Sequence, residues 1–123
     1  LVSTAGLIAS AKSSLYSATK FAGIGFSNAL RLELMPYNVY VTTVNPGPIK
    51  TAFFDKADPD GSYVKAVDKY ILEADVVAKQ IVDNFGKKKR ELTMPFALKA
   101  AHKLYTLLPN IGDKLASKMF NYK

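Results

Sequence analysis

Three side chains near the start of the chain could move a proton on or off an oxygen atom bound to carbon. Tyr16 and Lys20 lie four residues apart, so on a helix they project from the same side about one turn apart. A free phenol has a pKa near ~10, too high for efficient proton transfer at neutral pH, but a neighbouring ammonium stabilises the phenolate. Ser3 lies upstream, and its hydroxyl could hold a carbonyl or alcohol oxygen against the phenol. These residue types predict proton exchange at a C–O oxygen, with a hydride donor still required.

The elements predicted around these residues form a strand–helix–strand unit. Residues 1–2 are predicted to be the end of a buried strand. Residues 14–35 are predicted to form a helix that Pro36 ends. The β-branched run at residues 39–44 predicts a second strand. A connection of this length implies a right-handed parallel crossover. Two parallel strands do not make a stable sheet by themselves, so the fold requires further strands.

The predicted helix has two different faces, and Ser13 or Ser14 is its expected N-cap. A wide apolar stripe is expected to pack within the subunit, although it is wide enough to serve in oligomerisation as well. Tyr16 and Lys20 group with Ser27 and Arg31 on another side. The stripe consists of Ala18, Phe21, Ala22, Gly25, Phe26, Ala29 and Leu32.

The segments that follow the two strands are expected to share one crevice. In open α/β sheets, ligands bind outside the carboxyl ends of the strands, where Ser3, Thr4 and residues 46–51 would lie. Residues 52–73 mix aromatic side chains with a turn at residues 58–61. They can form a surface helix–turn–helix or a mobile flap over the crevice, and we favour the flap. The aspartates of this segment lack EF-hand spacing, so no metal site is predicted.

The last third of the chain is predicted to contain one more strand and three helices. Asp75 is expected to cap a helix that ends at Phe85, with Gly86 at its C-terminal end. A basic run at residues 87–90 then leads into a short strand, residues 91–94. The inward side chains of the first helix are expected to be Val77, Ala78, Ile81, Val82 and Phe85.

Residues 96–122 are expected to form two amphipathic helices broken at residues 108–110. This tail could close the substrate end of the subunit. Because its lysines make it basic, it could instead lie on an anionic membrane; we favour closure. The only histidine, His102, has no partner motif. The apolar side chains of the two stripes are Ala97, Ala101, Leu104, Tyr105 and Leu108, then Leu115, Met119 and Phe120.

Size and composition fit one domain. The chain has 123 residues, 49% of them hydrophobic, and its net charge of +7 lies entirely in residues 87–123. The absence of cysteine excludes disulfides and thiolate metal sites and is compatible with the cytoplasm. No apolar run is long enough to span a membrane. The basic run lacks interleaved aromatic residues, so no nucleic-acid partner is predicted.

Taken together, Ser3, the pair Tyr16 and Lys20, and the Asn45-Pro46-Gly47 strand end resemble the second half of a short-chain dehydrogenase/reductase. The resemblance covers essentially residues 1–95. It implies an α/β fold, the C-terminal half of a Rossmann-like doubly wound parallel sheet, here followed by a helical basic tail. It also implies a homo-oligomer.

The family resemblance implies a role for each matching residue. Tyr16 would be the general acid/base, and Lys20 would favour its phenolate and bind the nicotinamide ribose. Ser3 would orient the substrate carbonyl. The resemblance implies NAD or NADP as cofactor, bordered by Pro46, Gly47, Ile49 and Thr51, and places Phe53 and Phe54 at the start of the substrate flap. These two aromatic residues and the tail predict a small-molecule substrate of apolar character.

Part of the family pattern has no counterpart in this chain. The Gly-rich turn after the first strand of the family is missing, and Gly23-Ile24-Gly25 does not replace it because it lies within a helix. These residues are therefore expected to be a C-terminal piece of a longer NAD(P)-dependent oxidoreductase, with little activity alone. The alternative is a non-catalytic, self-associating module, which a basic tail could bring to a membrane surface.

Overall fold

A short parallel sheet lies at the centre of the fold. In the computed structural model, which describes residues 1–119, strands β1 (Thr43–Pro46) and β2 (Glu91–Met94) run parallel, with Thr43 opposite Glu91. Helix α1 (Ser14–Leu34) precedes β1. Between the strands come α2 (Phe53–Ala57), α3 (Ser62–Val67) and α4 (Ala74–Val82). After β2 follow α5 (Phe96–Leu107) and α6 (Pro109–Met119). The α/β class is confirmed.

The strand predictions hold only in part. Residues 1–2 are not a strand, although the Val2 N–H donates to the Val44 carbonyl at 2.8 Å, so the chain does run beside β1. The predicted strand at residues 39–44 begins only at Thr43 and continues to Pro46. β-Branched residues favour a strand only where a neighbouring strand pairs with them. Within residues 1–119, β2 provides that partner only from Thr43 onward.

Helix α1 has the predicted extent, but its predicted packing face is wrong for the described part of the chain. The helix begins after Ser13 and ends at Leu34, and Pro36 lies in the 3-10 helix Met35–Tyr37 that follows. The side chain of Ser17 is buried, whereas Phe26 of the apolar stripe is 68% exposed. An added Cβ at Gly25 would meet nothing within 4 Å. A helical wheel gives the apolar face but cannot tell which partner covers it.

The core is small and lies on one side of the sheet. Val44, Val77 and Met94 are buried, and partly buried aliphatic residues pack around them: Ile49, Leu72, Ile81 and Leu92. Val77 and Ile81 of α4 therefore face inward as predicted.

Other predictions about α4 are wrong. Ala78, Val82 and Phe85 are exposed. The helix ends at Val82, so Phe85 lies beyond it, and the packed side of the helix is narrow and consists of Val77 and Ile81. The N-cap position is held by Glu73 rather than Asp75, and its side chain makes no capping hydrogen bond.

The two predicted C-terminal helices are present, and they pack against each other as a hairpin. The break at residues 108–110 is confirmed, since α5 ends at Leu107 and α6 begins at Pro109. The Tyr105 hydroxyl donates to an Asp113 carboxylate oxygen at 2.9 Å, which ties α5 to α6. The side chain of Met119 and the whole of Phe120 lie outside the described residues. No helix within residues 1–119 is long and apolar enough to cross a membrane.

Candidate active site

Every residue predicted for the site lines one cavity of about 1200 Å³ at the carboxyl end of β1. The cavity also borders the hairpin of α5 and α6, so the C-terminal helices close its far side. The predicted site residues on its wall are Ser3, Tyr16, Lys20, Pro46, Gly47, Ile49, Thr51, Phe53 and Phe54.

Ser3 occupies a fixed turn. It is the N-cap of the 3-10 helix Thr4–Gly6, and its hydroxyl oxygen accepts a hydrogen bond from the Ala5 N–H at 3.1 Å. The Thr4 hydroxyl donates to the Pro46 carbonyl at 3.3 Å and so joins this turn to the end of β1. Among the described residues, no acceptor takes the hydrogen of the Ser3 hydroxyl. That hydroxyl can therefore donate to an oxygen in the cavity.

A close backbone contact at Gly6 positions α1. A Cβ added to Gly6 would lie 2.6 Å from the Lys20 carbonyl oxygen, a distance that real Cβ atoms do not reach. Only glycine lets the turn that carries Ser3 approach the first turns of the helix that carries Tyr16 and Lys20. The role of Gly6 is not evident from the sequence. The signal was the run of small residues Ser3-Thr4-Ala5-Gly6, but the contact itself is long-range.

Tyr16 and Lys20 meet as their spacing predicts. The Lys20 Nζ atom lies 5.2 Å from the centre of the Tyr16 ring, within cation–π range. Tyr16 is 40% exposed, so its phenol is accessible from the cavity. Below the pair, the hydroxyls of Ser13 and Ser17 are 3.0 Å apart, and Ser13 also donates to the Ser10 carbonyl at 2.9 Å. This serine network fixes the start of α1 in place of a side-chain cap.

The end of β1 forms the second wall. The Gly47 N–H donates to the Met94 carbonyl at 2.7 Å, and a Cβ at Gly47 would approach Leu98 to 3.0 Å. Further on, Ile49 forms a parallel bridge with Leu72, which holds the segment straight as it leaves the sheet. The Thr51 hydroxyl donates to the Ile49 carbonyl and accepts from the Phe53 N–H, both at 3.4 Å. These bonds lead the chain directly into α2.

An aromatic chain extends from Tyr16 into the predicted flap. The rings of Tyr16 and Phe53 are 6.1 Å apart, those of Phe53 and Phe54 5.3 Å, and those of Phe54 and Tyr63 5.7 Å. The Asp58 carboxylate accepts hydrogen bonds from the N–H groups of Tyr63 and Val64, and so caps α3. The segment therefore forms a helix–turn–helix whose side chains line the cavity, and its role as a mobile flap stays a prediction.

Asn45, which precedes the cavity-lining Pro46 and belongs to the strand-end motif, is a buried polar residue to which the sequence assigned no individual role. It is fully buried, and neither its amide nitrogen nor its amide oxygen has a hydrogen-bond partner in the described part of the chain. Thr93, opposite it on β2, has a buried hydroxyl in the same situation. The sequence signal for such a buried polar position was a polar residue directly after the β-branched run at residues 39–44.

Comparison with known proteins agrees with this geometry. The profile of the short chain dehydrogenase family matches residues 1–61, which contain Ser3, Tyr16, Lys20 and the end of β1. The chain belongs to the short chain dehydrogenase family. The match stops within the flap, so the family profile does not extend to α4, β2 and the C-terminal hairpin.

Individual curated proteins match over a longer part of the chain. Dehydrogenase/reductase SDR family member 7B of Xenopus tropicalis is 36% identical over 103 residues, which are 80% of this chain and 33% of that protein. The uncharacterized oxidoreductase YbbO of Escherichia coli K12 is 31% identical over 122 residues, 92% of this chain and 45% of that protein. The NADPH-dependent 3-dehydrocapnine reductase of Ornithobacterium rhinotracheale is 42% identical over 66 residues, 54% of this chain and 23% of that protein. The chain thus spans less than half of the length of these relatives.

Proposed function

We propose that residues 1–123 supply the proton-transfer half of a nicotinamide-dependent oxidoreductase that interconverts a ketone or aldehyde and an alcohol. The observation that carries the proposal is the presence of Ser3, Tyr16 and Lys20 on the wall of one cavity. Membership of a dehydrogenase family supports the oxidoreductase class. The chain's share of its relatives' length supports the view that further cofactor-binding residues lie elsewhere in a longer protein.

Each of the three residues has a task in this proposal. The Ser3 hydroxyl donates a hydrogen bond to the carbonyl oxygen and orients it. Tyr16 gives a proton to that oxygen in reduction and takes it back in oxidation. The Lys20 ammonium favours the phenolate left behind, because opposite charges at close range stabilise each other. The placement of Lys20 against the Tyr16 ring at 5.2 Å supports this assignment.

The wall formed by the end of β1 fits a nicotinamide. Pro46, Gly47 and Ile49 offer an apolar surface, and the missing side chain at Gly47 lets Leu98 pack closely behind this wall. Thr51 has a hydroxyl for the carboxamide or the pyrophosphate, and Tyr16 and Lys20 can bind the ribose hydroxyls. When bound, the nicotinamide supplies or accepts the hydride. Either NAD or NADP fits; one relative is NADPH-dependent by name.

The remaining walls support an apolar substrate. Phe53 lies next to Tyr16, and Phe54 together with Leu104 and Leu115 of the C-terminal hairpin also lines the cavity. Burial of apolar surface contributes about 25 cal/mol per Å². A substrate with a hydrocarbon arm therefore gains affinity here that a small polar carbonyl compound does not.

A second property that we propose is self-association through α1. Its apolar stripe is exposed along most of its length, with Phe21, Phe26 and Leu32 among the exposed side chains. A contiguous apolar face of this kind is typical of a surface that another protein surface covers. A second copy of the chain is the occupant we propose, since homo-oligomers are the commonest assemblies.

The decisive test is Tyr16→Phe in the full-length protein. This variant keeps the ring and its contact with Phe53 but removes the ionisable hydroxyl, so kcat should fall by about 10²–10⁴ for alcohols and ketones. Tyr37→Phe, far from the cavity, is the matched control and should keep normal turnover. Turnover of Tyr16→Phe within about threefold of the wild type would contradict the proposed role.

A further inference from the structure

The amino ends of the two strands form an edge of the molecule that differs in character from the cavity. Because β1 and β2 are parallel, the segments that lead into them meet at the same edge, opposite the carboxyl ends that border the cavity. These segments are residues 35–42, after α1, and residues 85–90, after α4. We call the two segments together with Arg31 the basic edge.

Hydrogen bonds join the parts of the basic edge into one surface. The Arg31 guanidinium donates to the Val41 carbonyl at 3.0 Å and to the Arg90 carbonyl at 3.2 Å. The Thr42 hydroxyl donates to the Lys89 carbonyl at 2.6 Å. Hydrogen bonds from the Arg31 and Thr42 side chains to the backbone of the two segments therefore join α1 and both segments.

Positive charge on this edge is not neutralised by acidic neighbours. The guanidiniums of Arg31 and Arg90 both donate to the Asn28 amide oxygen, a neutral group, at 2.7 and 2.9 Å. No salt bridge within residues 1–119 involves residues 87–90. The flanking acids Asp83 and Glu91 pair with Lys79 and Lys99 instead.

The electrostatics at Arg31 agree with an excess of cations. Burial and the neighbouring Arg90 lower the pKa of Arg31, and Glu91 offsets this only in part. A cationic surface of this kind attracts an anionic partner.

Exposed apolar and aromatic side chains lie among these cations. Tyr37 and Phe85 are each 74% exposed, and Met35 is exposed as well. The Lys88 Nζ atom lies 4.5 Å from the centre of the Tyr40 ring. From the sequence, the basic run at residues 87–90 had no aromatic partner, but the fold brings Tyr40 from 48 residues away onto it.

We propose that the basic edge docks on an anionic lipid bilayer. Lysine and arginine next to an anionic leaflet gain electrostatic attraction, while tyrosines favour the level of the headgroups and side chains such as Met35 and Phe85 enter the acyl boundary. Single-stranded nucleic acid could also bind the cations and the tyrosines, but it offers no apolar phase for Met35 and Phe85. In this orientation the cavity faces away from the bilayer and stays open to solutes.

The surface that contacts the membrane is then the basic edge and not the C-terminal tail, which the sequence suggested. Lys118 and Leu115 of α6 line the cavity, so the tail serves the site. The tail also contributes lysines of its own. It therefore provides a matched control for the effect of net charge.

The test is flotation of the full-length protein with vesicles of phosphatidylcholine containing about 30% phosphatidylserine. We expect salt-sensitive binding to these vesicles and little binding to pure phosphatidylcholine. Lys87→Glu/Lys89→Glu should lower the partition coefficient by at least about 25-fold, since each lysine near an anionic surface contributes about fivefold. Neither lysine side chain makes a salt bridge in the described part of the chain, so the fold should persist, which circular dichroism checks.

Two further variants separate a defined surface from general charge. Lys114→Glu/Lys118→Glu makes the same change of charge on α6 and should leave the partition coefficient within about threefold. Tyr37→Ser/Tyr40→Ser should weaken binding at unchanged net charge. Equal losses in both lysine pairs, unchanged binding of Lys87→Glu/Lys89→Glu, or a preference for a single-stranded RNA oligonucleotide over vesicles would each overturn the proposal.

Discussion

Tyr16 and Lys20 show how far single residues can be assigned from spacing. The four-residue interval places them on one side of α1, and the structure sets the Lys20 Nζ atom 5.2 Å from the Tyr16 ring. Ser3 required more than spacing, because its approach to the pair depends on the contact between Gly6 and the Lys20 carbonyl. Gly6, which has no reactive group, thus positions the residues that do.

Two glycines offer a matched test of that contact. Gly6→Ala should destabilise the protein by about 1–3 kcal/mol and lower kcat, since the new Cβ displaces the turn from the Lys20 carbonyl. Gly25→Ala, on the open side of α1, should stabilise by up to about 1 kcal/mol because alanine favours a helix. Denaturant unfolding measures both changes. A neutral Gly6→Ala would show that the turn can shift freely.

At the scale of elements, the flap is organised by two aspartates. Asp58 caps α3 by accepting from two backbone N–H groups. Asp60 accepts from the N–H and the hydroxyl of Ser62 at 3.2 and 3.0 Å. The turn was predicted from the sequence. Which groups Asp58 and Asp60 each bind was not, because that depends on side-chain rotamers.

Removing the Asp58 cap should loosen the flap. Asp58→Ala should cost about 1 kcal/mol and raise KM for apolar ketones more than for small polar ones, because Phe53 and Phe54 lose their support. Steady-state kinetics with both kinds of ketone measures the effect. Asp55→Ala on α2 is the control and should change stability by less than about 0.5 kcal/mol. An equal KM change for both kinds of ketone would argue against a flap that contacts the apolar arm.

The turn before α3 should also respond to acid. Hydrogen bonds from Ser62 lower the pKa of Asp60, so the contribution of this carboxylate to stability is present above the unfolded-state pKa near ~3.9 and is lost as pH falls through the folded-state pKa. Carboxyl NMR titration should place the Asp60 midpoint below ~3.9 in the wild type. Ser62→Ala should move it upward, since the hydroxyl donor is lost. An unchanged midpoint in Ser62→Ala would show that the Ser62 hydroxyl does not contribute to the lowered pKa of Asp60.

The whole molecule has three surfaces with different tasks in our proposals: the cavity, the exposed stripe of α1 and the basic edge. The stripe and the cavity lie on different sides of α1, so association through one leaves the other accessible. This arrangement is a property of the assembled fold. The helical wheel separates the stripe from Tyr16 and Lys20, but neither the wheel nor the charge count places the basic edge opposite the cavity.

Self-association through α1 can be tested with one charge. Phe26→Glu should lower the molar mass measured by light scattering to that of the next smaller species, because a buried unpaired carboxylate is unfavourable in an apolar interface. Phe96→Glu, at a phenylalanine of α5 that is 78% exposed against 68% for Phe26, should leave the mass unchanged. A wild-type protein that is already monomeric, or a Phe26→Glu variant with the wild-type mass, would contradict the proposal.

Local patterns in the sequence determined the α/β class, the extent of α1, the break between α5 and α6, and the spacing of the Tyr16–Lys20 pair. These features depend on helical period, β-branching and proline, which act over a few neighbouring residues. The tertiary structure decided which face of α1 is buried, where β1 begins, how Gly6 seats the Ser3 turn, and that Tyr40 meets Lys88. Those depend on contacts between distant segments, and a residue's own type does not determine which segment will lie beside it.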